Sequence, residues 1–451
     1  MQEKKKMTLA TKVLIGMGLG IVAGLIINLS GLNNEGTFIH EYIVTGLFFI
    51  VGKMFVTGLK MLVVPLVFFS LVTGVLGIGD IKSLGKVGGK SFALYILTTA
   101  IAIAFAIAVA ASMGIGEGIH IPNTLEFTAK AAPSLSSVFI NIVPDNVINA
   151  MALGKMLQVI FFSLIVGVSI IMVGEKAGPV IELMEIANEI MMKMVNIIMS
   201  VAPYAVFALL AKAIADLGID LIIDLAGYVA VLVTVLMGHL FITLMLVLKI
   251  FSGMSPVTFI KKMRETQIFA FSTSSSNATI PVTLGTVTNR LGVNNSVASF
   301  TVPFGATINM DGTAIMQGVA TVFIANAYGV DLGLSGYLTV ILMSVLASIG
   351  TAGVPGVGLI MLSMVFTQVG LPMEGIGLVL GVDRLMDMIR TAVNVSGDAA
   401  VSVIVAKSEG KLDVDVFNDP NAGLFLNEDI EIDSEVEQKL ATVLKEAEQK
   451  K

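Results

Sequence analysis

Long apolar segments follow one another along this chain, and short polar stretches separate them. Eight of the segments are long enough for an α-helix to cross the hydrocarbon core of a bilayer, which takes about 20 residues. The pattern therefore predicts an all-α polytopic membrane protein with eight transmembrane helices. The predicted helices lie near 13–31, 42–76, 89–113, 150–174, 190–215, 225–252, 296–326 and 374–406.

Two further apolar segments are interrupted near their middle. The segment at 268–287 contains a run of Ser and Thr followed by a proline, and the segment at 340–366 is split by GTAGVPGVG. Non-helical backbone is tolerated at membrane depth only where protein or a water-filled cavity satisfies its polar groups. We therefore predict two re-entrant helical hairpins, at 256–292 and 335–371, rather than two kinked ordinary spans. Two interrupted segments in corresponding places indicate the binding site of a transporter.

Loop charges predict the orientation in the membrane. The N-terminus MQEKKKMTLATK precedes the first apolar segment, as in a retained signal anchor whose lysines stay inside. The loop GDIKSLGKVGGK carries three lysines and is expected inside, whereas NLSGLNNEGTFIHEY has no Lys or Arg and is expected outside. We therefore expect a multi-pass protein of the plasma or inner membrane with both termini in the cytoplasm.

Composition supports a membrane protein and narrows its chemistry. The chain has 451 residues, 55% hydrophobic and 13% charged, with a mean hydropathy of +0.92, whereas soluble domains carry about 25% charged residues. The absence of cysteine excludes disulfides, iron–sulfur clusters and thiolate zinc sites. The residues at 407–451 include twelve acidic and six basic ones and so hold the whole net charge of −6. This acidity describes a tail and does not indicate nucleic acid as a partner.

The last predicted helix carries several polar residues on one face. Spacings of four, three and four residues place them on one stripe, since a helix turns by about 100° per residue. Each charge in a bilayer costs roughly 2.5–3.5 kcal/mol, so a binding function is the first hypothesis. An Asp387–Arg390 ion pair that only joins helices is the alternative. The stripe consists of Asp387, Thr391, Asn394 and Asp398, with Asp383 and Arg390 beside it.

A second polar cluster lies in the seventh segment, where FGATINMDGTA places Asn309 and Asp311 between Gly305 and Gly312. The glycines predict an unwound helix with free carbonyl oxygens, which together with carboxylates suit a dehydrated sodium ion. The third segment adds a weaker motif of hydroxyl groups in YILTT: Tyr95, Thr98 and Thr99.

Other candidate sites are weaker still. The stretch GKVGGKSF is one residue short of a phosphate-binding loop and follows no strand. The three histidines are scattered, which disfavours a metal site, and His239 is expected to be a satisfied core residue rather than a proton carrier. Lys53 and Lys60 in the second segment are expected to reach the interface or to face protein. No nucleophile stands beside a base, so the pattern does not favour an enzyme.

Four motifs occur in one order along the chain: SSSNATIPVT, NMDGTA, GTAGVPGVG and DMIRTAVNVSGD. Through them the chain resembles the glutamate transporter family, the dicarboxylate/amino acid:cation symporters, from about residue 10 to 410. The resemblance implies eight transmembrane helices, two re-entrant hairpins and a homotrimer. It also implies an elevator-type fold, in which a transport domain moves against a scaffold domain.

The resemblance divides the chain into scaffold and transport elements. The predicted order is a cytoplasmic N-terminus (1–12), scaffold helices 1–2 (13–88), transport helix 3 (89–113), scaffold helices 4–5 (114–215), transport helix 6 (225–252), hairpin 1 (256–292), helix 7 with an unwound NMDGT (296–326), hairpin 2 (335–371), helix 8 (374–406) and an acidic cytoplasmic tail (407–451).

The resemblance also assigns a substrate site. It implies that Arg390 pairs with the side-chain carboxylate of the substrate and that Asp387 takes its α-ammonium group. The other residues expected to hold the substrate or to close over it are Asn394, Thr391, Thr313, Ser276, Val354 and Gly358.

Three cation sites are implied in the same way. The first comprises Gly305, Asn309, Asn394 and Asp398, the second comprises Thr307 with the backbone at Ser348, Ile349 and Thr351, and the third comprises Tyr95, Thr98, Thr99, Asn309 and Asp311.

Physical chemistry supports an acidic amino acid as the substrate. The planar guanidinium of Arg390 fits a carboxylate, and Asp387 offers an acceptor for an ammonium group, which a simple dicarboxylate lacks. A neutral amino acid would leave Arg390 unpaired, at a cost of several kcal/mol. Some relatives carry a second arginine where this chain has Ser274 and Met388, so potassium counter-transport is not expected.

Charge counting suggests the number of coupled ions. The formal charges add up to −2 for the four residues Asp311, Asp387, Asp398 and Arg390. A bound aspartate adds a further charge of −1. About three monovalent cations would therefore neutralise the loaded protein before it crosses a medium of low dielectric constant. Sodium is the expected ion, and no organic cofactor is expected.

Three alternatives stay open at this point. Protons carried by Asp311, Asp383 or Asp398 could replace sodium. Cystine or a C4-dicarboxylate could replace the acidic amino acid. An ion channel could also be built from two re-entrant hairpins.

Overall fold

The computed structural model describes residues 9–76, 85–119, 143–349, 351, 353 and 355–423. In this part of the chain the secondary structure is helical, apart from an isolated β-bridge between Val293 and Leu412. The first eight residues, the acidic tail beyond 423 and the predicted tip residue Val354 lie outside the described residues.

The helices follow one another in the order α1 (Leu9–Leu29), α2 (Phe49–Leu76), α3 (Gly85–Ser112), α4 (Val147–Ala152), α5 (Met156–Val173), α6 (Gly178–Ser200), α7 (Ala202–Leu217), α8 (Ile219–Gly238), α9 (Leu244–Ser252), α10 (Pro256–Thr273), α11 (Ser276–Gly285), α12 (Asn295–Ile308), α13 (Asp311–Ala327), α14 (Gly333–Ser348), α15 (Val357–Val369), α16 (Ile376–Ser408) and α17 (Val414–Asn418). Short π-helical stretches precede α2 (Ile39–Phe48), join α8 to α9 (His239–Thr243) and follow α11 (Thr286–Arg290).

Six helical runs in the described ranges are long and apolar enough to cross a membrane. These runs are Thr11–Leu29, Ile39–Leu76, Lys86–Ser112, Gln158–Ser200, Ile219–Ser252 and Met373–Ser408. The several apolar helices agree with a multi-pass membrane protein.

The segment at 296–326 is divided into α12 and α13, of 14 and 17 residues, and the break lies where the NMDGT motif predicted an unwound helix.

Another predicted span differs from the helices observed. The segment at 190–215 comprises the end of α6 and most of α7, because the chain turns at Val201 just before Pro203, whose ring cannot continue the preceding helix. The first half of α6 contains charged residues such as Glu182 and Glu189. It was therefore not recognised as part of an apolar segment.

The helices form two packed groups. One contains α1, α2, α5, α6 and α7, and the other is built around α16 by α3 and the helices from α8 to α15. Within the first group α1 packs closely on α7, since a Cβ on Gly16 would lie 2.4 Å from the carbonyl oxygen of Pro203. The groups meet where α16 contacts α1 and α7 and where α15 contacts α2.

An ion pair also joins the two groups. Lys53 of α2 pairs with Glu374, which lies just before α16. Lys53 therefore faces protein, which is one of the two positions expected from the sequence; the other was the membrane interface. The side chain of Lys60 lies outside the described residues.

Two helix pairs approach each other through their connecting tips. In the first pair, which we call hairpin 1, α10 ends at Ser274 in the left-handed conformation (φ 52°), and Ser275 then caps α11 by accepting a hydrogen bond from the Ala278 amide. Ser274 is the non-glycine residue with positive φ in the described part of the chain, a conformation that costs energy. In the second pair, hairpin 2, α15 begins after Gly356, which has a φ of 87°.

Helix α16 is the centre of the second group. The stripe residues Asp387, Thr391, Asn394 and Asp398 are all buried by protein, so the polar stripe faces other helices and not lipid. Glycine allows the start of α13 to lie directly on it, because a Cβ on Gly312 would be 2.6 Å from the carbonyl oxygen of Arg390. The helix break between α12 and α13, at Asn309 and Met310, therefore lies against the polar stripe.

Candidate functional site

Arg390 is fully buried and binds two carboxylates of its own helix. Its Nη1 donates to Asp383 Oδ1 at 2.7 Å, and its Nη2 donates to Asp387 Oδ1 at 2.8 Å. The Asp387–Arg390 pair therefore exists, but it lies within one helix and does not join two helices. The Nε atom of Arg390 has no hydrogen-bond partner among the described residues.

Asp387 contacts three groups in this arrangement. Besides Arg390, it lies 3.5 Å from Nη1 of Arg384 through Oδ2, and the same oxygen accepts a hydrogen bond from the Gly356 amide at 3.4 Å. The backbone of hairpin 2 thus reaches a carboxylate of α16. Arg384 adds a second guanidinium beside the site, although its Nε is buried without a partner in the described part of the chain.

The tips of the two hairpins are bonded to each other. Ser275 Oγ donates to the carbonyl oxygen of Gly353 at 2.7 Å, and the Asn277 amide donates to the same oxygen at 3.1 Å. Space is tight at this contact, since a Cβ on Gly353 would lie 2.9 Å from the carbonyl oxygen of Ala306. The tips are therefore closed over the polar stripe of α16.

A small cavity of about 20 Å³ lies beneath the tips. It has room for about one water molecule. Its lining includes predicted substrate residues from hairpin 1, α13, hairpin 2 and α16: Ser276, Thr313, Gly358, Asp387, Thr391 and Asn394. Arg390 lies beside it, with Nη2 3.4 Å from where a Cβ on Gly358 would be. Of the predicted substrate residues, Val354 is not described.

The predicted third cation site brings its side chains together around Asp311. This carboxylate is fully buried and accepts hydrogen bonds from Thr99 Oγ1 at 2.6 Å and from Thr98 Oγ1 at 3.4 Å, both to Oδ1. Tyr95 Oη lies near Gly305 and donates to the carbonyl oxygen of Thr301 at 2.9 Å. The YILTT motif of α3 therefore faces the start of α13.

The predicted first site is contiguous with the third. Asn309 Nδ2 donates to Asp398 Oδ1 at 2.9 Å and to the Asn394 carbonyl at 3.3 Å. Asp398 Oδ1 also lies beside Gly305, where a Cβ would be only 2.5 Å away. The amide oxygen of Asn309 is buried and has no hydrogen-bond partner among the described residues. An unpartnered oxygen between two carboxylate-bearing helices is a suitable ligand for a cation.

The hydroxyl groups of the predicted second site bond to backbone carbonyls three or four residues earlier in the chain. Thr307 donates to Phe304 O at 2.9 Å, Ser348 donates to Val345 O at 2.7 Å, and Thr351 donates to Ala347 O. Their contribution to a cation site would come from backbone carbonyls and from hydroxyl lone pairs. Among the described residues, no hydrogen bond joins the Thr307 side chain to Ser348 or Thr351.

Charge distinguishes the two ends of the site. Asp383 and Asp387 are balanced by Arg390 and Arg384, whereas Asp311 and Asp398 are 0% and 1% exposed and have no Lys or Arg partner among the described residues. The described residues contain no group of three or more His, Asp or Glu that would suit a transition metal. Oxygen ligands with two carboxylates that have no Lys or Arg partner instead fit hard cations.

Two residues near the site were not assigned to it from the sequence. His239 is fully buried and its Nε2 lies 3.2 Å from Asp311 Oδ2, while its Nδ1 has no partner in the described ranges. It is therefore only half satisfied, and not the satisfied core residue that was expected. Arg384 could have been found from its spacing of three residues to Asp387, which places both on one helix face.

Comparison with known proteins places most of this chain in one protein family. Residues 9–408 match the model of the sodium:dicarboxylate symporter family. The proton/sodium-glutamate symport protein of Geobacillus stearothermophilus is 34% identical over 416 residues, covering 90% of this chain and 96% of the relative. The proton/glutamate-aspartate symporter of Escherichia coli (strain K12) is 32% identical, covering 90% and 94%. The C4-dicarboxylate transport protein of Bacillus subtilis (strain 168) is 34% identical, covering 80% and 87%.

Proposed function

We propose that this chain, which belongs to the sodium:dicarboxylate symporter family, is a secondary active symporter that imports aspartate or glutamate together with sodium ions. The observation that carries the proposal is the pair of buried carboxylates, Asp311 and Asp398, which have no Lys or Arg partner among the described residues. Buried negative charge requires compensation. Cations that enter with the substrate would supply it.

The substrate would exchange partners with the ion pairs of α16. In the closed arrangement, Arg390 is bonded to Asp383 and Asp387. A substrate carboxylate would replace Asp387 at Nη2 of Arg390, and Asp387 would then take the α-ammonium group. Two charge pairs replace one, so neither Arg390 nor Asp387 is left unpaired. Asp383 keeps Arg390 oriented during the exchange, through a charge-assisted hydrogen bond.

Entry of the substrate requires the tips to separate. A cavity of about 20 Å³ cannot hold an amino acid. Hairpin 2 would have to release two contacts, those of the Gly353 carbonyl with hairpin 1 and of the Gly356 amide with Asp387. Hairpin 2 is therefore the element that opens and then closes over bound substrate.

The coupling ratio follows from the charges of the site. Four aspartates and two arginines lie around it: Asp311, Asp383, Asp387, Asp398, Arg384 and Arg390. Their sum is −2, as in the count without Asp383 and Arg384, so an acidic amino acid still calls for about three monovalent cations. Sodium fits the oxygen ligands, and the named relatives include proton- and sodium-coupled symporters.

The movement would be of the elevator type in a homotrimer. The group built around α16 carries the whole candidate site, and the group of α1, α2, α5, α6 and α7 would be the scaffold. Both termini would be cytoplasmic, since the lysine-rich segments lie on that side of the predicted topology.

A second candidate substrate is a C4-dicarboxylate. Arg384 favours it, because this second guanidinium lies 3.5 Å from Asp387 and could bind a second carboxylate. The C4-dicarboxylate transport protein named above is as similar in sequence as the first glutamate symporter. Asp387 favours the amino acid, since a dicarboxylate would provide no ammonium group for it.

Uptake by purified protein in liposomes tests the proposal. We expect saturable aspartate uptake that requires an inward sodium gradient, persists when the proton gradient is collapsed, and is inhibited by glutamate more strongly than by succinate. Uptake driven by a proton gradient alone would show that protons, and not sodium ions, are the coupled cations. A flux that does not saturate or needs no gradient would contradict a symporter.

A further inference from the structure

We propose that His239 is a positioning residue of the cation site at Asp311, a role that rests on the proposed function. His239 begins the five-residue π-helical stretch between α8 and α9. π-Helical turns within α-helices are rare and are frequent at functional sites. His239 lies 72 positions from Asp311 in sequence, and the fold brings the two together in its interior.

The hydrogen bonds to Asp311 come from opposite sides. Two hydroxyls of α3, those of Thr98 and Thr99, donate to Oδ1, whereas Nε2 of His239 lies 3.2 Å from Oδ2. A carboxylate can only accept, so Nε2 of His239 carries the hydrogen. Because each carboxylate oxygen has its own donor, the plane of the Asp311 carboxylate is defined by two different helices.

His239 would act through Asp311 and not as a ligand. The hydrogen on its Nε2 is directed at Asp311 Oδ2, so this nitrogen has no lone pair to offer a cation. The oxygen ligands would come from Asp311, Thr98 and Thr99. When a cation binds, Thr98 and Thr99 can rotate their hydroxyl hydrogens away and offer lone pairs. The bond from His239 does not compete with the cation and keeps Asp311 in place while the hydroxyls turn.

Packing alone does not account for a histidine at this position. Its Nδ1 is buried without a partner among the described residues, and leaving a buried polar atom unsatisfied is unfavourable. An apolar side chain of similar size would avoid that cost. What the histidine adds is the donor to Asp311.

The matched test compares His239→Gln with His239→Leu. Glutamine can direct an amide N–H at Asp311, whereas leucine fills a similar volume without a donor. Thr234→Val on α8 is the control, since its hydroxyl bonds only to Ala230 of its own helix and the residue is exposed. Two quantities are measured in detergent: the sodium concentration that gives half-maximal thermal stabilisation without substrate, and the aspartate Kd at saturating sodium.

We expect H239L to raise the half-maximal sodium concentration at least tenfold, because losing a partner that orients a metal ligand typically costs 10- to 100-fold in affinity. The aspartate Kd at saturating sodium should change less than twofold. H239Q and T234V should stay within about threefold of the unaltered protein in both measurements. Should H239L aggregate, His239→Met carries the same test, because methionine is flexible and apolar.

Three results would overturn the role. They are an unchanged sodium dependence in H239L, an equal loss in H239Q and H239L, and a loss of aspartate affinity at saturating sodium as large as the loss for sodium. The unaltered protein tests the proposed function separately. If sodium does not stabilise it, the proposed coupling fails before any variant is compared.

Discussion

Arg390 Nη1 and Asp383 Oδ1 are 2.7 Å apart, although seven residues separate them along α16. Two helical turns bring the side chains onto one face, and the long arginine bridges the remaining gap. Arg390 therefore keeps one carboxylate partner even if Asp387 changes partner. One end of the guanidinium can therefore stay anchored, and the other end, now bonded to Asp387, is the one that we propose binds the substrate.

Replacing Arg390 by serine should change substrate preference from acidic to small neutral amino acids. The variant loses the group that we propose binds the substrate carboxylate, and it leaves Asp383 buried without its partner. We expect aspartate affinity to fall at least 100-fold, because breaking a buried ion pair costs about 3–5 kcal/mol. Competition binding with aspartate and serine measures the change. Exposed Arg264 provides the control variant Arg264→Ser, and unchanged aspartate affinity in R390S would refute the role of Arg390.

The sequence predicted the family more accurately than it predicted the boundaries of individual helices. The family prediction, made from four motifs over about residues 10–410, is confirmed by a match over 9–408. The motifs carry the polar residues of the candidate site, so these residues could be selected without knowledge of the packing. The predicted span at 190–215 is less accurate, since a search for apolar length cannot see a turn at Val201 between two helices.

Contacts across long sequence separations were not predictable in the same way. Helix periodicity places Asp387 and Arg390 on one face, but it cannot show that His239 meets Asp311, because tertiary packing alone sets their distance. Likewise, the run of Ser and Thr predicted an irregular tip but not that Ser275 bonds to Gly353.

Asp387→Asn should separate amino acid from dicarboxylate transport. The amide cannot neutralise an α-ammonium group, while Asp383 still holds Arg390 for a carboxylate. We expect aspartate uptake to fall at least 30-fold, since a hydrogen bond to a charged group contributes about 1.5–3 kcal/mol and its charge is lost as well. Succinate uptake, if present, should persist. Equal losses for both solutes in paired uptake assays would show that Asp387 does not recognise the ammonium group.

Asp398→Asn should lower the number of cations that move with each substrate by about one, because one uncompensated buried charge is removed. Reversal potentials in proteoliposomes with imposed sodium and aspartate gradients give the ratio. The unaltered protein should carry about three cations and a net charge of about +2 per aspartate. Asp220→Asn, at an exposed position, serves as the control. A ratio of one cation or none in the unaltered protein would exclude the coupling scheme.

Ser275→Gly should weaken the closure of the hairpin tips. The variant loses the hydroxyl that donates to the Gly353 carbonyl at 2.7 Å, whereas the Asn277 amide still donates to it at 3.1 Å. Glycine is tolerated at a helix N-cap, so α11 should lose only a few tenths of a kcal/mol. One neutral hydrogen bond contributes about 1 kcal/mol, and we therefore expect bound aspartate to dissociate about fivefold faster.

The control for this closure lies on the same hairpin. Ser272 donates only to Ile268 of its own helix at 2.8 Å, and Ser272→Ala should leave the dissociation rate unchanged. Dissociation of radiolabelled aspartate from detergent-solubilised protein at saturating sodium gives both rates. If S275G and S272A release aspartate equally fast, the bond between Ser275 and Gly353 does not hold the occupied site closed. A faster rate in S275G alone would show that the opening of hairpin 2 is limited by the contact between the tips, because the residues that we propose bind the substrate are unchanged in both variants.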